Sequence, residues 1–333
     1  MVLVTGATGL AGSHLIIHLL ENGESVRAIY RNSEKQKKVE SLFQLYGKNH
    51  LFQKIEWFKA DITDIPSLED AFHTIDYVYH CAALISFDPK DEDALRKTNI
   101  EGTANVVNLA IDFKIKKFCF VSSIAALGDL LDNEKIITEK TEWYPDKPHG
   151  DYAITKHGAE IEVWRAQQEG LDCVIINPGV ILGPGFWEQG SGEIFSTVAK
   201  GLSFYTLGST GFITVNDVVK IMYLLMKSDL KNEKYTLIAE NIIFKEFIET
   251  VATAMHLKKP TIYAKPWMTG IAWRADWLIS KLLFRKRKMS KSTSKSSHTK
   301  DLFSNEKIKN TLSYEFQNVK NYIHEIAAYY PKK

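Results

Sequence analysis

An α/β fold carried by a doubly wound parallel sheet, with a smaller, discontinuous C-terminal lobe completing it, is what this 333-residue sequence predicts. Three observations carry that prediction. Apolar runs of strand length alternate with helical periods as far as Ile176. The first of those runs enters its helix through three spaced glycines. The alternation then breaks at a Gly/Pro-rich stretch that begins at Asn177.

The opening strand is Val2–Thr5, starting so close to the first Met that no signal peptide is expected. Gly6, Gly9 and Gly12 follow it as G-x-x-G-x-x-G. The helix beyond runs through Leu15, Ile16, Leu19 and Leu20 and stops at Asn22-Gly23. A strand feeding a glycine turn feeding a helix aims backbone N–H groups and the positive end of the helix dipole at an anion, which is where a dinucleotide pyrophosphate sits. Gly6 permits the turn, Gly9 lets the backbone approach the pyrophosphate, and Gly12 lets helix and strand pack closely. The competing reading of a glycine triplet is an ordinary turn of some other α/β protein, and the flanking strand and helix weigh against it.

Further strands are expected at 26–31, 55–59, 77–81, 118–121 and 173–176, with helices between them. Asn177-Pro-Gly-Val-Ile-Leu-Gly-Pro-Gly reads as a loop over the carboxyl edge of the sheet. Residues 212–226 read as a further strand edge and helix, and 235–239 as a last strand, both returning to the main sheet. The expected division is therefore a cofactor-binding domain of residues 1–179 with 212–240, and a substrate lobe of 180–211 with 241–333.

Charge is balanced, 42 basic residues against 40 acidic, so no basic field points to nucleic acid. Cys81, Cys119 and Cys173 lie in apolar runs with no C-x-x-C spacing, as reduced core thiols of a cytoplasmic protein would. No apolar run approaches the roughly 20 residues that span a bilayer. His14, His18, His73, His80 and His149 show no metal-ligand spacing, and no metal site is assigned. His80 is expected to pack at its strand end and His149 to be a polar loop residue. One segment is compositionally odd. Trp273, Trp277, Leu278, Leu282 and Phe284 recur at helical spacing, followed by the basic, serine-rich run Arg285-Lys-Arg-Lys-Met-Ser-Lys-Ser-Thr-Ser-Lys-Ser-Ser. A basic amphipathic helix can lie on an anionic membrane. The expectation preferred here is a substrate-lobe helix followed by a mobile surface loop.

The chemistry-bearing residues begin with Tyr152-Ala-Ile-Thr-Lys156, at the start of a helix that continues through Glu160, Ile161 and Trp164. Positions i and i+4 share a helix face. An ammonium roughly 5 Å from a phenol stabilises its phenolate by about 3 kcal/mol at an effective dielectric near 20. That would move the tyrosine toward neutrality, where it can serve as a general acid or base. Phe118-Cys-Phe-Val-Ser-Ser runs a strand into two serines at the carboxyl edge, where ligands bind. Ser123 can there hydrogen-bond a substrate carbonyl beside Tyr152; the alternative is that Ser122 and Ser123 merely satisfy loop backbone.

Taken in order, the glycine turn, Asp61-Ile62 after the third strand, Ser123 five residues before Gly128, and Tyr152-x-x-x-Lys156 resemble the short-chain dehydrogenase/reductase superfamily in its extended, epimerase/dehydratase branch. The resemblance spans residues 1 to 240. Within the branch, Val26-Arg-Ala-Ile-Tyr-Arg31, His80-Cys-Ala-Ala, Asn99-Ile-Glu-Gly-Thr, Val121-Ser-Ser and Phe212-Ile-Thr-Val-Asn-Asp-Val look most like the dihydroflavonol-reductase and 3β-hydroxysteroid-dehydrogenase group. The resemblance implies a Rossmann-type fold, with Tyr152 as acid/base, Lys156 lowering its pKa and holding the nicotinamide ribose, and Ser123 orienting the carbonyl. It implies that Asp61 and Ile62 flank the adenine, that Ala82 and Ala83 line the cofactor cleft, and that Thr8, Leu10, Pro178, Gly179 and Val180 complete the cofactor site. Asn99 would brace the cofactor-side loops.

An Asp or Glu at the end of the second strand suits NAD, whereas an arginine accommodates a 2′-phosphate. Arg31 stands there, with Lys35, Lys37 and Lys38 behind it. Arg31 and Lys38 match phosphate contacts of dihydroflavonol-reductase-like enzymes, which implies NADP(H), with NAD(H) as the alternative. The expected activity is reduction of a ketone or aldehyde, or oxidation of the matching alcohol, on a small-molecule substrate. A sugar-nucleotide epimerase and an idle NADP-binding sensor are the rival readings. Asn177-Pro178-Gly179 replaces the arginine and aromatic pair of many sugar-nucleotide members, and Ile124-Ala125 replaces the acidic pair of a dehydratase. A homodimer would be in keeping with the superfamily.

Overall fold

The computed structural model describes residues 1–283, 287 and 289–331. In chain order the first half runs β1 (Val2–Thr5), α1 (Leu10–Glu21), β2 (Val26–Tyr30), α2 (Glu34–Leu45), α3 (Asn49–Phe52), β3 (Glu56–Lys59), α4 (Ile65–Phe72), β4 (Tyr77–His80), α5 (Glu92–Leu95), α6 (Gly102–Asp112), β5 (Lys117–Val121) and α7 (Asp151–Gln168). The second half runs β6 (Cys173–Pro178), β7 (Val180–Leu182), α8 (Gly192–Ala199), β8 (Phe204–Tyr205), β9 (Ser209–Thr214), α9 (Val215–Lys227), β10 (Glu233–Leu237), β11 (Glu240–Ile243) and α10 (Phe244–Ala254). It closes with β12 (Ile262–Tyr263), α11 (Pro266–Leu282), α12 (Lys291–Ser296), α13 (Glu306–Leu312) and α14 (Val319–Ala328).

Seven parallel strands form the main sheet in the order β10-β6-β5-β4-β1-β2-β3. Alternating strand residues feed its two faces. Val2, Val4, Val174 and Ile176 pack with α1 and α9, whereas Leu3, Phe118, Phe120, Cys173 and Ile175 pack with α6 and α7. This is the doubly wound Rossmann-like arrangement expected, and its order reverses between β1 and β4, where such sheets open a crevice at their carboxyl ends.

α9 shows how local sequence makes an element. The Thr214 hydroxyl caps its first turn by accepting from the Asp217 N–H at 3.0 Å, and Val215, Val218, Val219, Ile221, Met222, Leu225 and Met226 are all buried. Each such side chain contributes roughly 1.5–3 kcal/mol of burial.

Three expectations are corrected. The stretch after Asn177 is not wholly loop, because β6 extends through Pro178 and β7 follows after Gly179. The strand preceding α9 does not return to the main sheet. β9 joins β7 and β11 in a separate three-stranded sheet, while β10 does take the outer place beside β6. Backbone contact decides this, since a Cβ on Gly179 would lie 2.3 Å from the Gly211 carbonyl oxygen, so the two glycines let β7 and β9 meet. Finally, the serine-rich run is not a plain loop. Lys291–Ser296 is helical, with a capping box between Ser290 and Thr293. Phe284, Arg285, Lys286 and Lys288 of that basic segment lie outside the described residues.

Candidate active site

At the crevice, Gly6 has φ +65°, and a Cβ there would lie 2.5 Å from the Ala82 nitrogen. Only glycine lets β1 and β4 close to this distance while the chain turns. A Cβ on Gly12 would lie 2.3 Å from the Gly6 carbonyl oxygen, so α1 can start tight against the turn. Gly9 caps α1 with no side chain accepting from the helix, and no acidic residue stands in the first turn. The positive end of α1 is therefore left for an anion, and Thr8 and Leu10 flank it half-buried. This cradle fits a dinucleotide pyrophosphate.

The crevice walls are braced from behind. Thr5 Oγ1 lies 2.6 Å from His80 Nδ1 and accepts from the Ala82 N–H at 3.2 Å, while His80 Nε2 meets Thr103 Oγ1 at 3.0 Å. Burial, aided by the Lys156 charge, pulls His80 down to about 3, so it is a neutral strut. Asn99 sits in a π-helical stretch, Arg96–Glu101, between α5 and α6. Its side chain accepts from the Leu84 N–H at 2.8 Å and donates to the Leu84 carbonyl at 3.0 Å and to Thr155 Oγ1 at 3.1 Å. It ties the loop after β4, including Ala82 and the exposed Ala83, to α7.

Toward the far end, the Arg31 guanidinium stands 3.6 Å from Asp61, and Lys38 on α2 pairs with Glu188 at 3.1 Å. Arg31 and Lys38 are both exposed. Asp61 also accepts from the Thr63 N–H and hydroxyl at 2.9 Å, and the buried Ile62 packs against Gly102.

The third cluster lies where β5 and α7 converge. Ser123 lies two residues beyond β5, and its hydroxyl accepts from the Ala125 N–H at 3.2 Å beside the Tyr152 hydroxyl. Tyr152 stands in the first turn of α7, edge-on to Phe87 at 5.8 Å between centroids. Burial pushes its hydroxyl above the ordinary tyrosine value, and the Ser123 hydroxyl only partly offsets this. The expectation that Lys156 brings the phenol toward neutrality therefore differs from what the protein does. Lys156 Nζ donates instead to the Val121 carbonyl at 2.9 Å and lies 4.3 Å from the Phe120 ring centre. Burial drops Lys156 itself to about 8, with the Glu160 carboxylate opposing.

Glu160 and Asn177 are site residues that motif reading passed over. Ser122 Oγ and Asn177 Nδ2 both donate to Glu160 Oε1 at 2.5 Å, and Asn177 Nδ2 also reaches the Ser123 carbonyl at 3.0 Å. This buried network fixes the Ser122-Ser123 turn to α7. The available signal was spacing, because Tyr152, Lys156 and Glu160 recur every four residues on one helix face. Pro178, Gly179 and Val180 run from β6 into β7 beside it. His149 sits off the cluster, with Nε2 3.3 Å from Asp129, stacked on Trp143, which in turn stacks on His157.

The chain belongs to the NAD dependent epimerase/dehydratase family, whose profile matches residues 2–237. It is similar to sterol demethylase protein B of Methylococcus capsulatus, 29% identical over 82% of this chain and 80% of that one. It is also similar to dihydroflavonol 4-reductase of Arabidopsis thaliana, 32% identical over 55% of this chain and 50% of that one. Among solved structures, UDP-glucose 4-epimerase of Thermotoga maritima with UDP-glucose superposes over 99% of this chain and 98% of that one, with TM-score 0.77 and 20% identity. That likeness establishes the fold.

Proposed function

We propose that the protein is an NADP(H)-dependent oxidoreductase that reduces a ketone or aldehyde to the alcohol. The observation that carries this reading is the meeting of Ser123 and Tyr152 at the carboxyl edge of the sheet, with Lys156 one turn along α7 and the glycine cradle across the crevice. The bound nicotinamide would supply or accept a hydride at the carbonyl carbon. Gly6, Gly9 and Gly12 would admit the pyrophosphate, and Asp61 and Ile62 would border the adenine. Ala82, Ala83 and the Pro178-Gly179-Val180 turn would wall the cleft. Arg31 and Lys38 would meet the 2′-phosphate. Ser123 would donate to the carbonyl oxygen, and Tyr152 would pass its proton to that oxygen as negative charge develops. A tyrosine whose hydroxyl is pushed up by burial stays protonated at neutral pH, which is the form reduction requires. Lys156 would hold the ribose from its seat on Val121. Residues 180–211 with 241–333 would form the substrate lobe over the 1–179 and 212–240 domain.

A second reading, sugar-nucleotide epimerisation, draws support from the fold likeness to UDP-glucose 4-epimerase. Steady-state assays with NADPH and NADH against a panel of ketones and aldehydes test the two. The reductase reading expects NADPH preference and a loss of about 10²- to 10⁴-fold in Tyr152→Phe with unchanged cofactor affinity by calorimetry. NAD retained through purification, with no net consumption of added cofactor, would assign epimerisation instead. Retained turnover in Tyr152→Phe would remove the acid/base role from that residue.

A further inference from the structure

α11 is amphipathic in the wrong sense for a helix of a free-standing protein. Among its 17 residues the two fully buried side chains are hydroxyls, Thr269 and Ser280. Thr269 Oγ1 meets His298 Nε2 at 2.9 Å, and Asp276 accepts from the Met289 N–H at 3.0 Å, so the helix is fastened to the α12 segment by polar groups. Its apolar residues face out. Trp267 is 63% exposed, Ile271 59%, Leu278 51% and Leu282 67%. At about 100° per residue these four fall within roughly 60° of one another, making a continuous strip along the helix.

Cations line one flank of that strip. Arg274 and Lys281 are exposed, the first with its guanidinium 4.5 Å from the Trp273 ring centre and the second with its ammonium 5.5 Å from that of Trp277. Long basic side chains laid over tryptophans beside an aliphatic strip match the boundary between acyl chains and anionic headgroups. The charge distribution points the same way. Residues 265–300 hold ten basic residues and one acidic, whereas the other 297 hold 32 basic and 39 acidic. A second copy of this chain docked symmetrically on this strip would bring Arg274 and Lys281 against the same two cations, so the charge favours an anionic partner over self-association.

We propose that the outward strip of α11 seats the protein on an anionic lipid surface, with the helix lying in the headgroup plane. This stands apart from the reductase reading. It also has a geometric corollary, because the segment beyond α11 borders the Tyr152 cluster. The Arg287 N–H donates to Asp88 beside Phe87, and Ser292 lies against Gly150, which caps α7. A protein seated on α11 would therefore hold that cluster close to the lipid.

The test is flotation of the full chain with vesicles of phosphatidylcholine alone or with added phosphatidylserine. Co-flotation only with the serine lipid, weakened by salt and reduced at least tenfold in Ile271→Ser/Leu278→Ser/Leu282→Ser, is expected. The three positions are exposed, so the variant should keep the native circular dichroism and melting behaviour. Arg274→Gln/Lys281→Gln should lower binding without abolishing it. No flotation with either vesicle, or equal flotation of the triple variant, overturns the proposal. So does a native dimer in analytical ultracentrifugation that the triple variant dissociates, since the strip would then be an interface between copies.

Discussion

The Lys156 ammonium donates to the Val121 carbonyl oxygen at 2.9 Å, anchoring α7 to the last residue of β5. A charge this buried weakens the fold. Its folded value, about 8, lies below the ordinary 10.5, so the unfolded chain binds the extra proton between those limits. Native stability should therefore rise as pH goes from about 8 to 10.5. Lys156→Met should be at least as stable as the native chain at pH 7, with its advantage shrinking over that window. Urea unfolding across the range checks this, and a native curve flat from pH 8 to 10.5 would contradict it.

Lys38 is held by Glu188 at 3.1 Å across the mouth of the 2′-phosphate position proposed above. A phosphate must compete with that carboxylate. Glu188→Gln is expected to tighten NADPH by about two- to fivefold and leave NADH unchanged. Arg31→Gln should weaken NADPH by about tenfold or more. Calorimetric titration of both nucleotides reads these effects, and equal shifts for NADH would detach both residues from the phosphate.

His14 and His80 are buried neutral, pulled down to about 4 and about 3 by loss of hydration. Both have folded values below the unfolded 6.5, so the stability they contribute is complete above pH 6.5 and is lost as pH falls. Each loses about 1.4 kcal/mol per pH unit until its folded value is reached. Unfolding free energies at pH 7, 6 and 5 should fall more gently in His80→Gln than in the native chain. Parallel slopes would mean that His80 is protonated in the fold.

Gly9 and Gly12 should fail differently when a methyl is added. At Gly9 the new carbon would lie 3.4 Å from Gly6 O, an ordinary contact, whereas at Gly12 it would lie 2.3 Å from that same oxygen. Gly12→Ala should therefore lose about 1–3 kcal/mol of stability or more along with cofactor binding. Gly9→Ala should keep the native melting temperature and lose nucleotide affinity alone, because the pyrophosphate has to approach there. A Gly12→Ala melt equal to the native one would remove the packing role.

The sheet as far as Ile176 was legible because each strand sits in a run of period two or continuous apolarity between helices of period 3.6. β7 was hidden by Pro178 and Gly179, two strand breakers. Each is accommodated here, Pro178 at the end of β6 and Gly179 donating its N–H to Leu237 O at 3.1 Å. The sheet to which β9 belongs was not legible at all, since local periodicity marks a strand and says nothing of its neighbour. Within the site, Ser123, Tyr152 and Lys156 announce themselves by type and spacing. Glu160 does not, because a glutamate on a helix reads as solvated surface until Ser122 and Asn177 are seen to cover it. The helical spacing of Trp273, Trp277, Leu278 and Leu282 marks α11 as a helix but does not say that Trp277, Leu278 and Leu282 stand exposed.

The crossings at Gly179 and after Leu237 have a mechanical consequence. β6 passes straight into β7, and β10 passes almost straight into β11. Their ends are bonded side by side, Leu237 opposite Pro178, while β9 links the two departing strands. Two adjacent rails thus leave one sheet and enter the other along a common line. A third tie completes the joint, because β9 runs straight on into α9, whose buried face shares one core with α1 and the main sheet. Gly179 and Gly211 touch backbone to backbone beside it. Held on three lines, the small sheet keeps a fixed attitude to the strands that lead into the Ser123 turn.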